Sequence, residues 1–271
     1  MTDSETALPE EFLSRFAGVA RLFGSVQLAR LARARVCVVG LGGVGSWACE
    51  ALARTGICNF TLVDMDDVSV TNTNRQLHAM SGNYSREKTD VMAERIRLIN
   101  PCAKIELRKI FITPESAPEI FPAGSETSNF DIVADAIDGA LNKAALIAAC
   151  LVAETPIVSS GGCAGKRDGK LVEIADLSET ENDALLKFVR RTLRSRYGFA
   201  KAGKKFGVPA VFSREISQTL PDGGLNGLNV PEMISPAGGK PRPGTATFVT
   251  GAFGFALAQK VVEMILSPSK K

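Results

Sequence analysis

The chain has 271 residues, 45% hydrophobic and 23% charged, with a formal net charge of +3. This balance excludes an intrinsically disordered or fibrous protein, a chain of this length buries a core without covalent staples, and so small a charge does not by itself argue for a polyanionic partner. The cysteines at 37, 49, 58, 102, 150 and 163 form no Cys-x-x-Cys pair and His78 is the single histidine, so a structural zinc site is not expected. Most of these thiols sit in apolar runs, where they behave as small hydrophobes, and that points to a reducing compartment, the cytoplasm.

Met1 to Glu11 is acidic and polar, without the basic start and apolar stretch of a secretory signal, so export is not expected. Arg35 to Gly40 is a β-branched run ending in glycine, which predicts a strand buried on both faces; Val44 to Arg54 predicts a helix after a glycine-rich turn. Asn59 to Asp64 and Ile105 to Ile110 predict further strands, separated by a helix over Arg86 to Ile99 that stops at Asn100-Pro101. Asp131 to Ala134, Asn142 to Ala153 and Pro156 to Ser160 continue as strand, helix and strand. Such alternation predicts an α/β fold with a doubly wound, mostly parallel sheet that binds ligands at the carboxyl ends of its strands.

Beyond Gly161 the pattern changes: Leu171 to Ile174 predicts one more strand, a basic helix follows, and residues 218 to 244, rich in glycine and proline, are expected to form a mobile loop. Gly244 to Gln259 is sixteen uncharged residues. A spanning helix wants about twenty apolar ones, so Thr247 to Leu266 is expected as a helix buried on the sheet, with a membrane helix or tail anchor as the alternative. The chain is read as one domain, with a nucleotide-binding part at 12–165 and a substrate-binding extension at 166–271 sharing its sheet.

Gly40, Gly42, Gly43 and Gly45 fit G-x-G-x-x-G-type spacing directly after a predicted strand and opening a helix, where phosphates can approach backbone N–H groups at the positive helix end. Asp64 ends the next strand, where a carboxylate commonly takes ribose hydroxyls. A nicotinamide-dependent dehydrogenase would carry the same pair, and glycines used only for tight packing are a further alternative. The segment after Asp64, running Asp66-Asp67-Val68 to Asn72-Thr73-Asn74-Arg75-Gln76, is too charged for a hydride-transfer pocket and suits phosphates and a metal.

On these residues, with Lys88 at a helix approach, Asn100-Pro101 at that helix's end, and Asp135 and Asp138 after the fourth strand, the chain resembles the adenylate-forming family of ThiF, the molybdopterin-synthase adenylyltransferase and the ubiquitin-activating enzymes. The resemblance implies that Asp64 binds the ribose of ATP, that Asp66, Asn72, Arg75, Gln76 and Lys88 belong to the nucleotide site, and that Asp138 holds Mg2+. It makes Arg75, Lys88 and Asp138 the catalytic set, because attack of a carboxylate on the α-phosphorus builds negative charge that a guanidinium, an ammonium and a divalent ion stabilise. Taken singly, Arg75 could be a surface charge, Lys88 an ordinary helix-start lysine, and Asp135 and Asp138 helix caps. Lys143 falls where the family often has arginine, which leaves a phosphate role open there. His78 is read as structural.

Cys163, in Gly161-Gly162-Cys163-Ala164-Gly165, follows a core strand and reads as a buried thiol rather than a thioester nucleophile. Activation of a sulfur-carrier or ubiquitin-like protein is therefore the second reading, and a non-catalytic nucleotide-binding scaffold the third. Other stretches, among them Arg15-Phe16 to Phe23-Gly24, Glu50 to Gly56, Val91 to Arg97 and Phe248 to Phe255, resemble the branch of the family that dehydrates threonylcarbamoyladenosine beside the anticodon of tRNA. That branch implies adenylation of the substrate's carboxylate, ring closure with loss of AMP, and a homodimer in which Arg15 or Arg21 could reach a neighbour's ATP; a sulfurtransferase partner is left open. It also gives a use to Lys187 to Gly207, which holds eight Lys or Arg and no acid. Leu185, Leu186, Val189, Leu193 and Tyr197 recur at helical spacing, which leaves Lys187, Arg190, Arg191 and Arg194 as a stripe that could lie along tRNA phosphates or simply face solvent.

Overall fold

The strand β1 (Arg35–Val39), buried on both faces from Val36 on, shows how the fold is laid down. Val36 and Val38 join one apolar cluster, Cys37 and Val39 another on the opposite face, as the two-residue period of a strand dictates. The structure, a computed structural model, describes residues 8–121, 130–201, 203–220, 224 and 243–267. Six more strands complete one sheet: β2 (Asn59–Val63), β3 (Lys104–Arg108), β4 (Ile132–Asp135), β5 (Ile157–Ser160), β6 (Val172–Asp176) and β7 (Pro209–Ser213). Their order is β3-β2-β1-β4-β5-β7-β6, parallel throughout except for the antiparallel edge pair β6 and β7.

Helices cover both faces, as buried parallel strands require. On the face of Val36 and Val38 lie α3 (Gly45–Arg54), α4 (Lys88–Ile99) and α8 (Thr247–Leu266), contributing Leu52, Met92 and Phe253 to that cluster. On the other lie α5 (Ala117–Ile120), α6 (Ala140–Val152) and α7 (Ala184–Arg196), contributing Ile120, Leu146 and Val189. At the amino end, α1 (Glu10–Phe23) and α2 (Ser25–Arg33) form a small cluster of their own around Phe12, Phe16, Leu28 and Cys58.

By length and composition α8 could cross a membrane. Here Val249, Phe253, Leu257 and Val261 are fully buried, and the helix backs onto α3 so closely that a Cβ on Gly254 would meet Trp47 Cβ at 2.6 Å and Val44 O at 2.7 Å. The apolar run is the stripe that covers the sheet.

Chain direction reverses about β1: the path leaves it for β2 and β3 on one side and returns to β4 and β5 on the other. The crevice this opens at the carboxyl ends is where doubly wound sheets hold ligands. One part of the chain departs from what local pattern predicts. Pro209–Ser213 forms β7, which inserts between β5 and β6 although it follows both in sequence. Most of 218–244, expected as a mobile loop, lies outside the described residues.

Candidate nucleotide-binding site

A cleft of about 550 Å3 opens at the ends of β1, β2, β4 and β5. Its floor is the turn after β1. Gly40 sits at φ +88°, with an added Cβ only 2.9 Å from Ala136 O, so the turn can pass the end of β4 only as glycine. Gly42 and Gly43 line the cleft. Gly45, expected among the nucleotide contacts, does not: a Cβ there would lie 1.8 Å from Gly40 O, so this glycine closes the turn onto α3 instead.

Asp64, immediately past β2, ties the two strand ends together by accepting from Leu41 N–H at 2.6 Å and from Asp66 N–H at 2.8 Å. Lys88, at the start of α4 and 5% exposed, reaches Asp66 Oδ2 at 2.7 Å and Asp64 Oδ1 at 3.9 Å. An ammonium held almost out of water is a strong electrostatic device. Between them runs a short 3-10 turn, Val70–Asn72, closed by a capping box of Ser69 and Asn72. It delivers Asn72, Arg75 and Gln76 to the cleft. Arg75 is aimed by its own neighbours: Nη1 donates to Thr71 O at 2.8 Å and Asn74 Oδ1 at 3.0 Å, while its carbonyl accepts from Trp47 Nε1 and Thr250 Oγ1, each at 3.2 Å. Gln76 is buried with Oε1 lacking any protein partner.

Across the crevice, Asp138 is exposed at the cleft, while Asp135 is fully buried. Asp135 Oδ1 lies 2.8 Å from Lys143 Nζ and accepts from Ile137 N–H at 3.1 Å, and Oδ2 accepts from Ser159 Oγ at 2.7 Å. Lys143 thus has no route to a phosphate: it is fully buried and neutralises Asp135, and the pair shapes the turn that presents Asp138.

Among the described residues no three His, Cys, Asp or Glu side chains gather as a metal cage. The donor set still fits Mg2+, which is commonly held by one or two carboxylates together with substrate phosphates. Asp138, exposed at the cleft, is the carboxylate that could hold it.

His78, just beyond the motif, is fully buried with both ring nitrogens unpartnered, and burial, with Lys88 and Arg95 nearby, pushes its pKa down to about 4. It is neutral at physiological pH. Burial, with Asp183 beside it, pushes the Cys163 thiol up, which disfavours the nucleophilic thiolate.

The basic stripe divides. Lys187 and Arg191 are exposed, but Arg190 is half-buried against Thr180 and Leu177 O, and Arg194 donates to Ala200 O at 3.2 Å with its guanidinium 5.1 Å from the Phe206 ring centroid. Two of the four cations are engaged, Arg190 with the segment before α7 and Arg194 with the segment after it. Arg15 pairs with Glu11 at 2.7 Å, and Arg21 is exposed.

Sequence pattern did not single out Ile110, Phe111 and Ile112, which follow β3 and give the cleft an apolar patch, nor Leu185 and Thr245, which close its far side. An apolar triplet directly after a strand end was the available signal for the first group. The others arrive from distant segments and carry none.

The ThiF family pattern matches residues 14–270. The chain is 42% identical to tRNA threonylcarbamoyladenosine dehydratase of Haemophilus influenzae, over 95% of each chain, and 41% identical to that of Escherichia coli, over 97% of this chain and 98% of the relative. The crystal structure of the E. coli enzyme in complex with ATP superimposes with a TM-score of 0.83 at 41% identity, covering 96% of this chain and 97% of that one. Its complex with AMP gives 0.84.

Proposed function

The chain belongs to the ThiF family, and from that premise we propose that it carries out the ATP-dependent dehydration of threonylcarbamoyladenosine in tRNA. One observation carries the reading beyond family membership: a single cleft gathers Asp64, Asn72, Arg75, Gln76 and Lys88, which follow β2, with Asp138, which follows β4. An ATP-bound relative of the same length and fold supports ATP as the nucleotide.

The substrate's carboxylate attacks the α-phosphorus of ATP, pyrophosphate leaves, and the acyl-adenylate remains. In this reading Asp64 receives the ribose. Lys88 and Arg75 supply fixed positive charge where the phosphate oxygens become more negative, and both are already oriented by protein partners, so little reorganisation is needed as charge develops. Mg2+ held by Asp138 would supply further charge neutralisation on the phosphates. The carbamoyl group tethered to the same threonine then attacks the activated acyl carbon and AMP departs. A tethered nucleophile has a high effective molarity, so no protein thiol is required.

The reading includes a homodimer and a cytoplasmic setting, the latter supported by six free cysteines. Lys187 and Arg191, exposed on α7, are its candidate contacts to tRNA phosphates. The test is incubation with ATP, Mg2+ and tRNA that carries threonylcarbamoyladenosine, followed by digestion and mass spectrometry of the nucleosides. The expected product is lighter by one water, with AMP and pyrophosphate formed in equal amounts. ATP consumption with unchanged nucleosides overturns the reading.

A further inference from the structure

The cleft has two unlike walls. Every charged group that lines it, Asp64, Asp66, Arg75, Lys88 and Asp138, lies on the β1, β2 and β4 side. The opposite wall, Gly161 to Ala164 with Leu185 and Thr245, carries none. The nucleotide reading gives this second wall no role.

It is nevertheless built with care. Gly161 N–H donates to Val211 O at 2.8 Å, and Gly162 N–H to Asp183 Oδ2 at 2.9 Å. The other oxygen of Asp183 caps α7 by accepting from Leu186 N–H at 2.8 Å, so one carboxylate clamps the wall to a helix end. Beyond the wall Lys166, 4% exposed, donates to the carbonyls of Asn182, Ser213 and Glu215 at 3.2, 3.1 and 2.8 Å. An ammonium has three protons, and here all three are spent on carbonyls. Gly165 N–H is tied to Gly244 O at 2.8 Å. Between these anchors, the amide N–H groups of Cys163 and Ala164 donate to nothing among the described residues. Unpaired donors in a fixed segment at the edge of a charged cleft are what a developing oxyanion needs.

We propose that Gly161 to Ala164 is the acyl subsite, taking the carbonyl end of a carboxylate-derived adenylate, with the Cys163 and Ala164 N–H groups as its oxyanion donors. The inference rests on the adenylating function proposed above. The carbamoyl group forms a bond to the acyl carbon and the carbonyl electron pair moves onto oxygen, where these N–H groups stabilise it. On collapse the bond from acyl carbon to the AMP oxygen breaks, AMP leaves with that electron pair, and the carbamoyl group gives up its proton to solvent. No carboxylate lines this wall, and the one behind it, Asp183, is held by the Gly162 and Leu186 N–H groups. A buried, protonated Cys163 thiol does not compete as a nucleophile.

Two glycines allow a crossed test. A Cβ on Gly162 meets only Leu185 Cβ at 3.7 Å and Asp183 Oδ1 at 3.9 Å, and one on Gly42 meets only Gln76 Nε2 at 3.9 Å, so both accept alanine without a clash. Gly162→Ala should bind ATP as the unmodified protein does, yet lose about 10-fold or more in kcat/KM for tRNA bearing threonylcarbamoyladenosine, read as AMP release. Gly42→Ala should lose ATP affinity. Ala164→Val, at a half-exposed position, repeats the first measurement should Gly162→Ala melt below the assay temperature. Unchanged kcat/KM in a folded variant of this wall, or loss of ATP affinity equal to that of Gly42→Ala, overturns the subsite. Absence of tRNA-dependent AMP release from the unmodified protein overturns the function itself, a result that needs no variant and so is told apart from failure of the subsite.

Discussion

The nucleotide half and the extension solve their tasks with different parts of the chain. On the β1, β2 and β4 side, the proposed function resides in side chains: Arg75 and Lys88, which follow β2, and Asp138, which follows β4, are charges that line one cleft. On the β5 and β7 side it resides in backbone, with Gly161 to Ala164 held by Asp183 and Lys166, neither of which lines the cleft. A charged side chain acts from a short local motif. A shaped backbone needs support from segments far away in sequence.

The sharpest way to break this comparison is to delete one charge from the nucleotide half. Lys88→Met keeps the aliphatic bulk and leaves Asp66, which is 55% exposed, free to be solvated. Tm should move little while AMP release falls about 100- to 1,000-fold. Asp138→Ala should behave alike in the same assay; full activity in either variant removes that residue from the catalytic set.

Lys143 belongs to the nucleotide half in sequence but to the supporting class in structure, and it sharpens the distinction. Lys143→Met strands a buried Asp135 carboxylate and should cost about 3–5 kcal/mol of stability in denaturant unfolding. Adding Asp135→Asn removes the stranded charge, keeps an acceptor for Ile137 N–H, turns the Ser159 contact into one where the amide NH2 donates to Oγ, and should recover most of that loss. A double variant as unstable as the single one contradicts the pairing.

His78 makes the same point through pH. Its folded pKa of about 4 lies below the ordinary value of 6.5, so between these the unfolded chain binds a proton that the folded one refuses. Stability from this group is complete above about pH 6.5 and is lost as pH falls toward 4, on the order of 3 kcal/mol in all. His78→Gln should flatten that part of the stability profile. A profile unchanged by the substitution assigns the acid loss to other groups.

The smallest effect is expected at Cys163. Cys163→Ser retains the backbone N–H and should keep most of the AMP release, whereas a trapped thioester at this residue would contradict the backbone account.

The legibility of the two halves differs for the same reason. Gly40 to Gly45 and Asp64 to Gln76 are contiguous, and the spacing that places them at strand ends is local, so their meeting in one cleft was readable from sequence. Gly45 does not line the cleft and packs on the preceding turn, the role the third glycine of this motif takes. Lys143 sits in a helix otherwise almost wholly apolar, and only the end of β4, brought alongside by the sheet, supplies its partner. The strand β7 is five residues long, begins with proline and inserts out of order, so nothing local announces it. Arg190 and Arg194 look like a free stripe by helical spacing, yet Thr180 and Phe206 from flanking segments engage them.

The central claim is that the substrate carboxylate attacks the α-phosphorus. It is tested most directly by preparing threonylcarbamoyladenosine tRNA with its carboxylate labelled with oxygen-18, running the reaction with unlabelled ATP, and weighing the nucleotide products. The account predicts AMP carrying one labelled oxygen, formed in step with the ring-closed nucleoside. Unlabelled AMP, or label recovered in inorganic phosphate alongside ADP, would contradict it.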